Sequence, residues 1–484
     1  MPQLDTRASE AVDEAAALIL RKFHYWFPYT FPFRFALAIG QRVSFRDVPL
    51  IRPVLDIGVN DGSTASLIHH GKSRIDWGGD MPEESTHESH GLYVSPDFNI
   101  YDNLIGMDAC DIPFPDNSFN TIVCTEVFFY GMDRGRLLSE IVRVLAPGGT
   151  LAFSESSPEI LNYPGIAGEL RKDVPTFNVP HNPREYYHDA LTNLGMQDFF
   201  FRPYFDGSLA ALTLYLMYAW PPDANRGAYV RLIQDDPRYR TLYREGLTAI
   251  AATLRNEFQH PAGPENGWNV FVSCRKPGNL NPGAPTPHPV CLSCRSAELD
   301  RSLHACRCRS CGRDYPTRFG KPFLLRDHGT AYSPKPAGTS VDWTEKMEST
   351  IASALGTFRQ RAAKRLGSPA RIIVVGIDPS TEFTVKHLQE QGIEVDSVCS
   401  EHLRYVGERI GDARIIGLRD LGGARLPLLL SGYASWRSSF AGLVRTIRRA
   451  GYRGPVFSIG RGRVRKCPSL RSWANTFSKR SGMA

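Results

Sequence analysis

The sequence predicts an α/β protein of several domains, on three observations. Strand, turn and helix signals alternate from Pro53 to about Glu155. A second alternation runs from Arg371 to Gly460. Between them lie two closely paired sets of cysteines, Cys291 with Cys294 and Cys308 with Cys311. A chain of 484 residues is also too long for one hydrophobic core.

The elements follow in order. Ser9–Arg21 is amphipathic and reads as a helix, with Ser9 as a candidate N-cap. Phe23–Phe35 is dense in aromatic residues and interrupted by Pro28 and Pro32; it suits packing or a lid. Val54–Ile57 is a short apolar strand, and Ser63–His70 is a helix stopped by Gly71. Thr121–Thr125 is a buried strand. Leu137, Leu138, Ile141 and Leu145 mark one helix face, which Pro147-Gly148-Gly149 ends before the strand Thr150–Ser154. Asn182-Pro183 opens a helix that ends at Gly195, and the strand Gln197–Phe201 follows. On this helix His181, Tyr186, Tyr187 and His188 either reach a substrate pocket or sit on a surface. Residues 205–262 read as mostly helical, and Trp268–Cys274 is a strand that completes the first sheet.

Pro277–Pro289, rich in Pro, Gly and Asn, reads as a linker. Beyond Asp327–Thr339, Arg371–Gly376, Ile393–Val398, Leu426–Leu430 and Pro455–Ile459 read as strands. Thr381–Gln391 and Phe440–Ala450 read as helices. The expected domains are an N-terminal helical and aromatic segment (1–49), an α/β domain (50–278), a cysteine-rich segment (290–327), a smaller α/β domain (340–460) and a basic tail (461–484).

Composition narrows the functional classes. The apolar fraction is 42% and the charged fraction 22%, ordinary for a globular protein. The longest apolar run, Leu209–Trp220, falls short of the ~20 residues that span a bilayer. No signal-peptide pattern is recognisable, and the expectation is a cytoplasmic protein. The net charge of +7 is uneven, at −10 over residues 1–280 and +17 over 281–484. Arg461, Arg463, Arg465, Lys466, Arg471, Lys479 and Arg480 dominate the end of the chain. An anionic partner such as RNA, a nucleotide diphosphate or a membrane surface would suit that half, and so would a merely solvated tail. Interleaved aromatics that would stack RNA bases are sparse, limited to Trp473 and Phe477.

The sharpest constellation starts at Val54-Leu55-Asp56-Ile57-Gly58-Val59-Asn60-Asp61-Gly62, a strand running into a glycine turn and then a helix. Gly58 permits close backbone approach to a ligand, and Gly62 permits tight entry to the helix. Asp80 ends a second strand, where a carboxylate can accept from both hydroxyls of a ribose. Met107-Asp108-Ala109-Cys110-Asp111-Ile112-Pro113-Phe114-Pro115-Asp116-Asn117-Ser118-Phe119 follows, then Thr121–Thr125 and Leu145-Ala146-Pro147-Gly148-Gly149.

Over residues 50–275 this run resembles the class I S-adenosylmethionine-dependent methyltransferases, in the subgroup with a D-A-x-x-L-P-F-x-D-x-S-F motif. The resemblance implies a Rossmann-like fold with S-adenosylmethionine as cofactor. It implies that Asp56, Gly58, Asn60 and Gly62 face the methionine moiety and that Asp80 binds ribose. It implies that Asp108 and Ala109 face adenine, and that Thr125 and Glu126 line the methionine side. Two positions depart from the family: Asn60 stands where glycine is usual, and Phe129-Tyr130 where Glu-His is frequent. Tyr130 is the one candidate catalytic side chain, as a residue that positions a nucleophile or as plain wall. Methyl transfer to a nucleophilic atom can rest on proximity and in-line orientation.

The C-x2-C pairs Cys291/Cys294 and Cys308/Cys311 can supply four thiolates to a structural Zn²⁺, with Cys306 as an alternative to Cys308. Asp314–Leu325 resembles the end of zinc ribbons of the methyltransferase-activator family. The C-terminal α/β pattern is similar to small Rossmann-like domains fused to sugar-modifying enzymes, although Gly376 is the only glycine of its first loop. That similarity implies either a nucleotide-sugar site or a scaffold. The leading expectation is methylation of a small molecule or a glycan or nucleotide-sugar precursor. RNA methylation and a non-catalytic cofactor-binding or scaffold role stand as alternatives.

Overall fold

The computed structural model describes residues 6–21, 32–59, 62–80, 100–128, 133–158, 183–206, 237–259, 267–302, 305–318, 321–326, 352–353, 355, 371–376, 381–400, 406–430, 444, 447–460 and 463–466. They fall into two compact units, the first drawn from residues 6–80, 100–299 and 324–326 and the second from 300–323 and 352–466.

The first unit begins with helices α1 (Thr6–Arg21) and α2 (Pro32–Ser44). It continues with β1 (Val54–Ile57), α3 (Ser63–Ile68), β2 (Ile75–Asp80), β3 (Tyr101–Met107), β4 (Phe119–Thr125), α4 (Arg134–Val144) and β5 (Leu145–Ser156). Then come α5 (Arg184–Asn193), β6 (Gln197–Asp206), α6 (Pro237–Gln259) and β7 (Gly267–Arg275). The strands run β3-β2-β1-β4-β5-β7-β6. β1 to β5 are mutually parallel, and β7 is antiparallel to both β5 and β6. Order 3-2-1-4-5 is the doubly wound Rossmann arrangement. β1 is buried at every position and β4 at all but the last, as suits central parallel strands covered on both faces.

Local chemistry explains the boundaries. Asp133 caps α4 by accepting from the Arg136 N–H at 3.0 Å. Leu137, Leu138 and Ile141 bury one face of that helix. Leu145 is not its last face residue, because the chain turns extended there and enters β5. β5 therefore starts five residues before Thr150 and takes in Pro147-Gly148-Gly149. The first helix starts at Thr6 rather than Ser9, whose hydroxyl accepts from Gln259 Nε2 at 2.7 Å. α1 thus packs on α6 through Val12, Ala15 and Ile19. β6 extends to Asp206, beyond the expected Phe201, because β7 pairs with it along almost its whole length. The helical expectation for 205–262 holds for α6; residues 207–236 and 260–262 lie outside the described residues.

Residues 277–290 are not the loose connector that their composition suggests. The Lys276 N–H donates to Gly149 O, Asn120 Nδ2 to Asn281 O at 2.7 Å, Thr286 Oγ1 to Asp76 at 2.8 Å and the Val290 N–H to Pro113 O at 2.9 Å. Trp77 Nε1 donates to Pro287 O at 3.0 Å. Backbone groups without regular partners are satisfied by the first sheet's own side chains.

The cysteine-rich segment forms β8 (Leu299–Arg301), β9 (Cys306–Cys308) and β10 (Asp314–Tyr315) as one small sheet, followed by the hairpin β11 (Thr317–Arg318) and β12 (Lys321–Leu324).

The second unit carries β13 (Arg371–Val375), α7 (Thr381–Glu390), β14 (Glu394–Ser400), β15 (Arg409–Ile410), β16 (Ala413–Gly417), a 3₁₀ turn (Leu418–Gly423), β17 (Leu428–Leu430), β18 (Val456–Gly460) and β19 (Arg463–Lys466). The order is β15-β16-β14-β13-β17-β18-β19, parallel from β16 to β18 and antiparallel at each edge. Ile372, Val374 and Val398 bury one face, while Ile373, Val375 and Cys399 bury the other. Two expectations change. The short pair β15–β16 carries no strong alternation in sequence, and Arg463–Lys466 is an edge strand rather than the start of a free tail. Residues 467–484, including Cys467, lie outside the described residues.

Candidate functional site

Strand register gathers the expected cofactor residues along one edge of the first sheet. Ile57 lies opposite Gly79 on one side and Cys124 on the other. Asp80 lies opposite Gly106, two residues before Asp108, and Thr125 lies opposite Ser154. Neighbouring strands are about 4.8 Å apart. Gly58, Asp80, Asp108 and Thr125 therefore share the C-terminal edge of four adjacent parallel strands. Strand order reverses between β1 and β4, and a crevice opens at such a point.

The turn after β1 is fixed by contacts that exclude a side chain. Gly58 has φ of 85°, and a Cβ there would stand 2.2 Å from Val127 Cγ2. Its N–H donates to Gly79 O at 2.9 Å, which ties the turn to the residue before Asp80. Gly62, at φ 77°, caps α3. Asn60 and Asp61 lie outside the described residues.

The carboxylates differ in setting. Asp56 is 4% exposed and accepts from the Tyr101 hydroxyl at 2.6 Å. Burial pushes it up to about 7; the Tyr101 bond opposes this and the nearby charge of Asp80 adds to it. Asp80 is partly exposed at the tip of β2. Asp108 is partly exposed and accepts from the Cys110 N–H at 2.8 Å, while Ala109 beside it is buried. Thr125 is partly exposed. Tyr130 and Phe129 lie outside the described residues.

The sequence names Glu126 for the methionine side, but not the cluster of side chains that the fold builds around it. Glu126 follows β4 in a left-handed backbone conformation, φ 55°. Its carboxylate accepts from Ser156 Oγ at 2.8 Å, Gln41 Nε2 at 3.4 Å, Ser154 Oγ at 3.4 Å and Asn269 Nδ2. Glu155 is 1% exposed and accepts from the Phe128 N–H at 2.7 Å and the Ser156 N–H at 3.2 Å. Burial raises Glu126 to about 7, and burial together with Glu126 raises Glu155 well above its ordinary value. Among the described residues, no lysine or arginine bonds to Asp56, Glu126 or Glu155. The sequence offers Glu126 as the acid after the fourth strand and Glu155 as an acid just past the strand Thr150–Ser154, and no spacing joins them. Gln41 and Asn269 come from distant elements that only the fold brings in.

On α5, Tyr187 is core, packed against Phe128 and Phe153 at centroid distances of 5.6 and 5.2 Å. His188 is exposed beside Phe199. His181 lies outside the described residues.

In the cysteine-rich segment, the Sγ atoms of Cys291, Cys294, Cys308 and Cys311 all lie within 4.8 Å of one another. Each pair sits in the same kind of turn. The Arg295 N–H donates to Cys291 O at 2.8 Å, and the Gly312 N–H to Cys308 O at 2.9 Å. Cys306, two residues away on β9, is buried opposite Tyr315 and outside the foursome. None of the four is in a disulfide. A tetrahedral tetrathiolate site with metal–sulfur bonds of ~2.3 Å needs sulfur separations of about 3.8 Å, so a small inward movement would suffice.

Comparison with known proteins finds methyltransferases similar to the first unit. Residues 55–153 match the family described as a methyltransferase domain. A ubiquinone/menaquinone biosynthesis C-methyltransferase of Desulfotalea psychrophila is 28% identical over 127 residues, 25% of this chain and 49% of that protein. A glycine/sarcosine/dimethylglycine N-methyltransferase of Actinopolyspora halophila is 28% identical over 90 residues, 18% of this chain and 15% of that one. The chain thus spans half or less of the length of these curated relatives. Among solved structures, a methyltransferase of Thermotoga maritima described as a possible histamine N-methyltransferase is 14% identical over 52% of this chain and 94% of that chain, with a TM-score of 0.32. Residues 55–153 of the first unit carry a methyltransferase domain. Its relatives include both carbon and nitrogen methyltransferases, so the class is defined and the acceptor is not. No helix among the described residues is long and apolar enough to cross a membrane.

Proposed function

We propose that the protein transfers the methyl group of S-adenosylmethionine to a small molecule or a glycan or nucleotide-sugar precursor. The observation that carries the reading is the convergence of Gly58, Asp80, Asp108 and Thr125 on one sheet edge within the matched domain. The donor set fits the cofactor. Asp80 suits the ribose diol, Asp108 with Ala109 suits the adenine edge, and the Gly58–Gly62 turn with Asn60 suits the methionine part. Acidic side chains suit a ligand that bears positive charge. The cofactor supplies an activated methyl group; the residues of this chain bind and orient it, and exclude water from its face.

Cys291, Cys294, Cys308 and Cys311 would hold a structural zinc, since four thiolates leave no open position for chemistry. In the second unit, Ile373, Ser397, Arg414, Ile416 and Arg425 line a cavity of about 470 Å³. Asp396 and Asp420 stand in the same lining, so the depression carries both signs of charge. The experiment is calorimetric titration with S-adenosylmethionine of the parent protein and of Asp80→Ala. Binding by the parent with a large loss in the variant is the expected result. Equal affinities remove Asp80 from the site, and no binding by the parent removes the function.

A further inference from the structure

Methyl transfer to an acceptor atom that bears hydrogen must dispose of one proton. The acceptor's lone pair forms the new bond to carbon, and the carbon–sulfur bond breaks with its pair left on sulfur. The acceptor atom then sheds its proton. The positive charge of the sulfonium is therefore replaced by a proton that some group must take.

We propose that the paired carboxylates of Glu126 and Glu155, joined through Ser156, are the proton acceptor of the reaction and the counter-charge to the sulfonium. This rests on the methyltransferase reading above. The geometry is specific. Ser156 donates its hydroxyl to Glu126 Oε2 at 2.8 Å and its backbone N–H to Glu155 Oε1 at 3.2 Å, so one residue bridges both acids. Glu126 and Ser156 are partly exposed, whereas Glu155 is buried, which gives the pair an open end and a closed end. The open end adjoins the cofactor turn: the flanking Val127 is the residue that a Cβ on Gly58 would strike. A non-glycine residue held at positive φ costs energy, and such positions gather at functional sites.

The electrostatics support an exchange of proton for cation. The Cys124 thiol on β4, the Tyr187 hydroxyl on α5 and the Tyr204 hydroxyl on β6 each feel the charge of both acids, and all three are neutral groups. Arg134 on α4 acts on Tyr187 and donates to Phe128 O at 2.8 Å. Two like charges bridged by one serine do not both ionise easily, so the pair holds a proton near neutrality. A sulfonium drives that proton off, and conversion of the sulfonium to a neutral thioether makes the pair basic again when the acceptor must lose its own.

The test needs no acceptor. Titrations with S-adenosylmethionine and with S-adenosylhomocysteine are run at pH 7 in buffers of different ionisation enthalpy, which counts protons exchanged. A group half protonated at that pH and fully ionised by the ligand releases about 0.5 proton. The sulfonium ligand is expected to release that many more protons than the thioether. In Glu126→Gln the excess should largely vanish while both ligands still bind. Ser156→Ala, a milder change that keeps both acids, should shift the pH at which the excess peaks. Equal proton counts for the two ligands in the parent protein would overturn the proposal, as would a full excess in Glu126→Gln. Failure of either ligand to bind the parent would instead strike the methyltransferase reading beneath it.

Discussion

Replacing Gly58 by alanine tests the turn on which the crevice depends. Two separate costs apply. At φ of 85° an L-residue carries roughly 1–2 kcal/mol of steric strain. The added methyl would also lie 2.2 Å from Val127 Cγ2, well inside contact distance, and such overpacking costs about 1–3 kcal/mol. Val127 is 7% exposed and cannot simply swing into solvent. The expected loss is about 2–5 kcal/mol in the unfolding of the first unit, read by urea titration followed by tryptophan fluorescence. Trimming the obstacle separates the two costs. The double variant Gly58→Ala/Val127→Ala should lose less than the sum of the single variants by roughly 1 kcal/mol or more, because the overlap is gone and only the strain remains. A Gly58→Ala protein as stable as the parent, or strictly additive losses, would refute this account of the turn.

Asp76 is buried on β2 and accepts from Arg52, the Val54 N–H and Thr286 Oγ1. Asp76→Ala strands these donors and should cost about 3 kcal/mol by denaturant titration, near the low end for a buried pair because Arg52 is half exposed. Burial alone would raise the pKa of Asp76, but the hydrogen bonds from Arg52, Val54 and Thr286 prevail and lower it. Its stabilisation is therefore present above the ordinary carboxylate range and lost as pH falls through the lowered value. Asp56 and Glu126 act the opposite way. The folded state keeps their protons while the unfolded chain has lost them, so stability of the free protein should fall as pH rises from about 4 to 7, by up to about 1.4 kcal/mol per pH unit for each group; a melting temperature that climbs over that window would contradict the assignment. For the cysteine cluster, metal analysis of the purified protein should find one zinc, lost in Cys308→Ser and kept in Cys306→Ser, and the reverse pattern would reassign the ligand.

The sequence made the first sheet legible because its strands are parallel and central. Such strands are short and largely apolar, as Thr121–Thr125 shows, and Val54–Ile57 is also bounded by Pro53 and Gly58. The strand tips were legible for the same reason: Gly58 and Asp80 interrupt apolar runs where only a turn or a ligand can use them. The edges were not. Ala413–Gly417 is partly solvated, and Arg463–Lys466 reads as tail because a run of basic residues does not alternate, yet its backbone completes the ladder of Val456–Gly460. Leu145 was misplaced because a leucine fits a helix face and a buried strand equally well, and the backbone turns extended at that residue. Residues 277–290 look loose by composition, but their carbonyls satisfy Asn120 and Trp77. The carboxylate cluster was the least legible part. Gln41, Glu126, Glu155 and Asn269 come from α2, the end of β4, β5 and β7, and no spacing in the chain links them.

The central claim is that acids at neighbouring strand tips hold one adenosyl ligand over the β1–β4 crevice. A crystal structure of the full chain grown with S-adenosylhomocysteine addresses it directly. The account predicts the ribose hydroxyls on Asp80, the adenine edge against Asp108 and Ala109, and the amino-acid end over the Gly58 turn. A ligand seated on other residues, or a crevice that stays empty at saturating concentration, would contradict it.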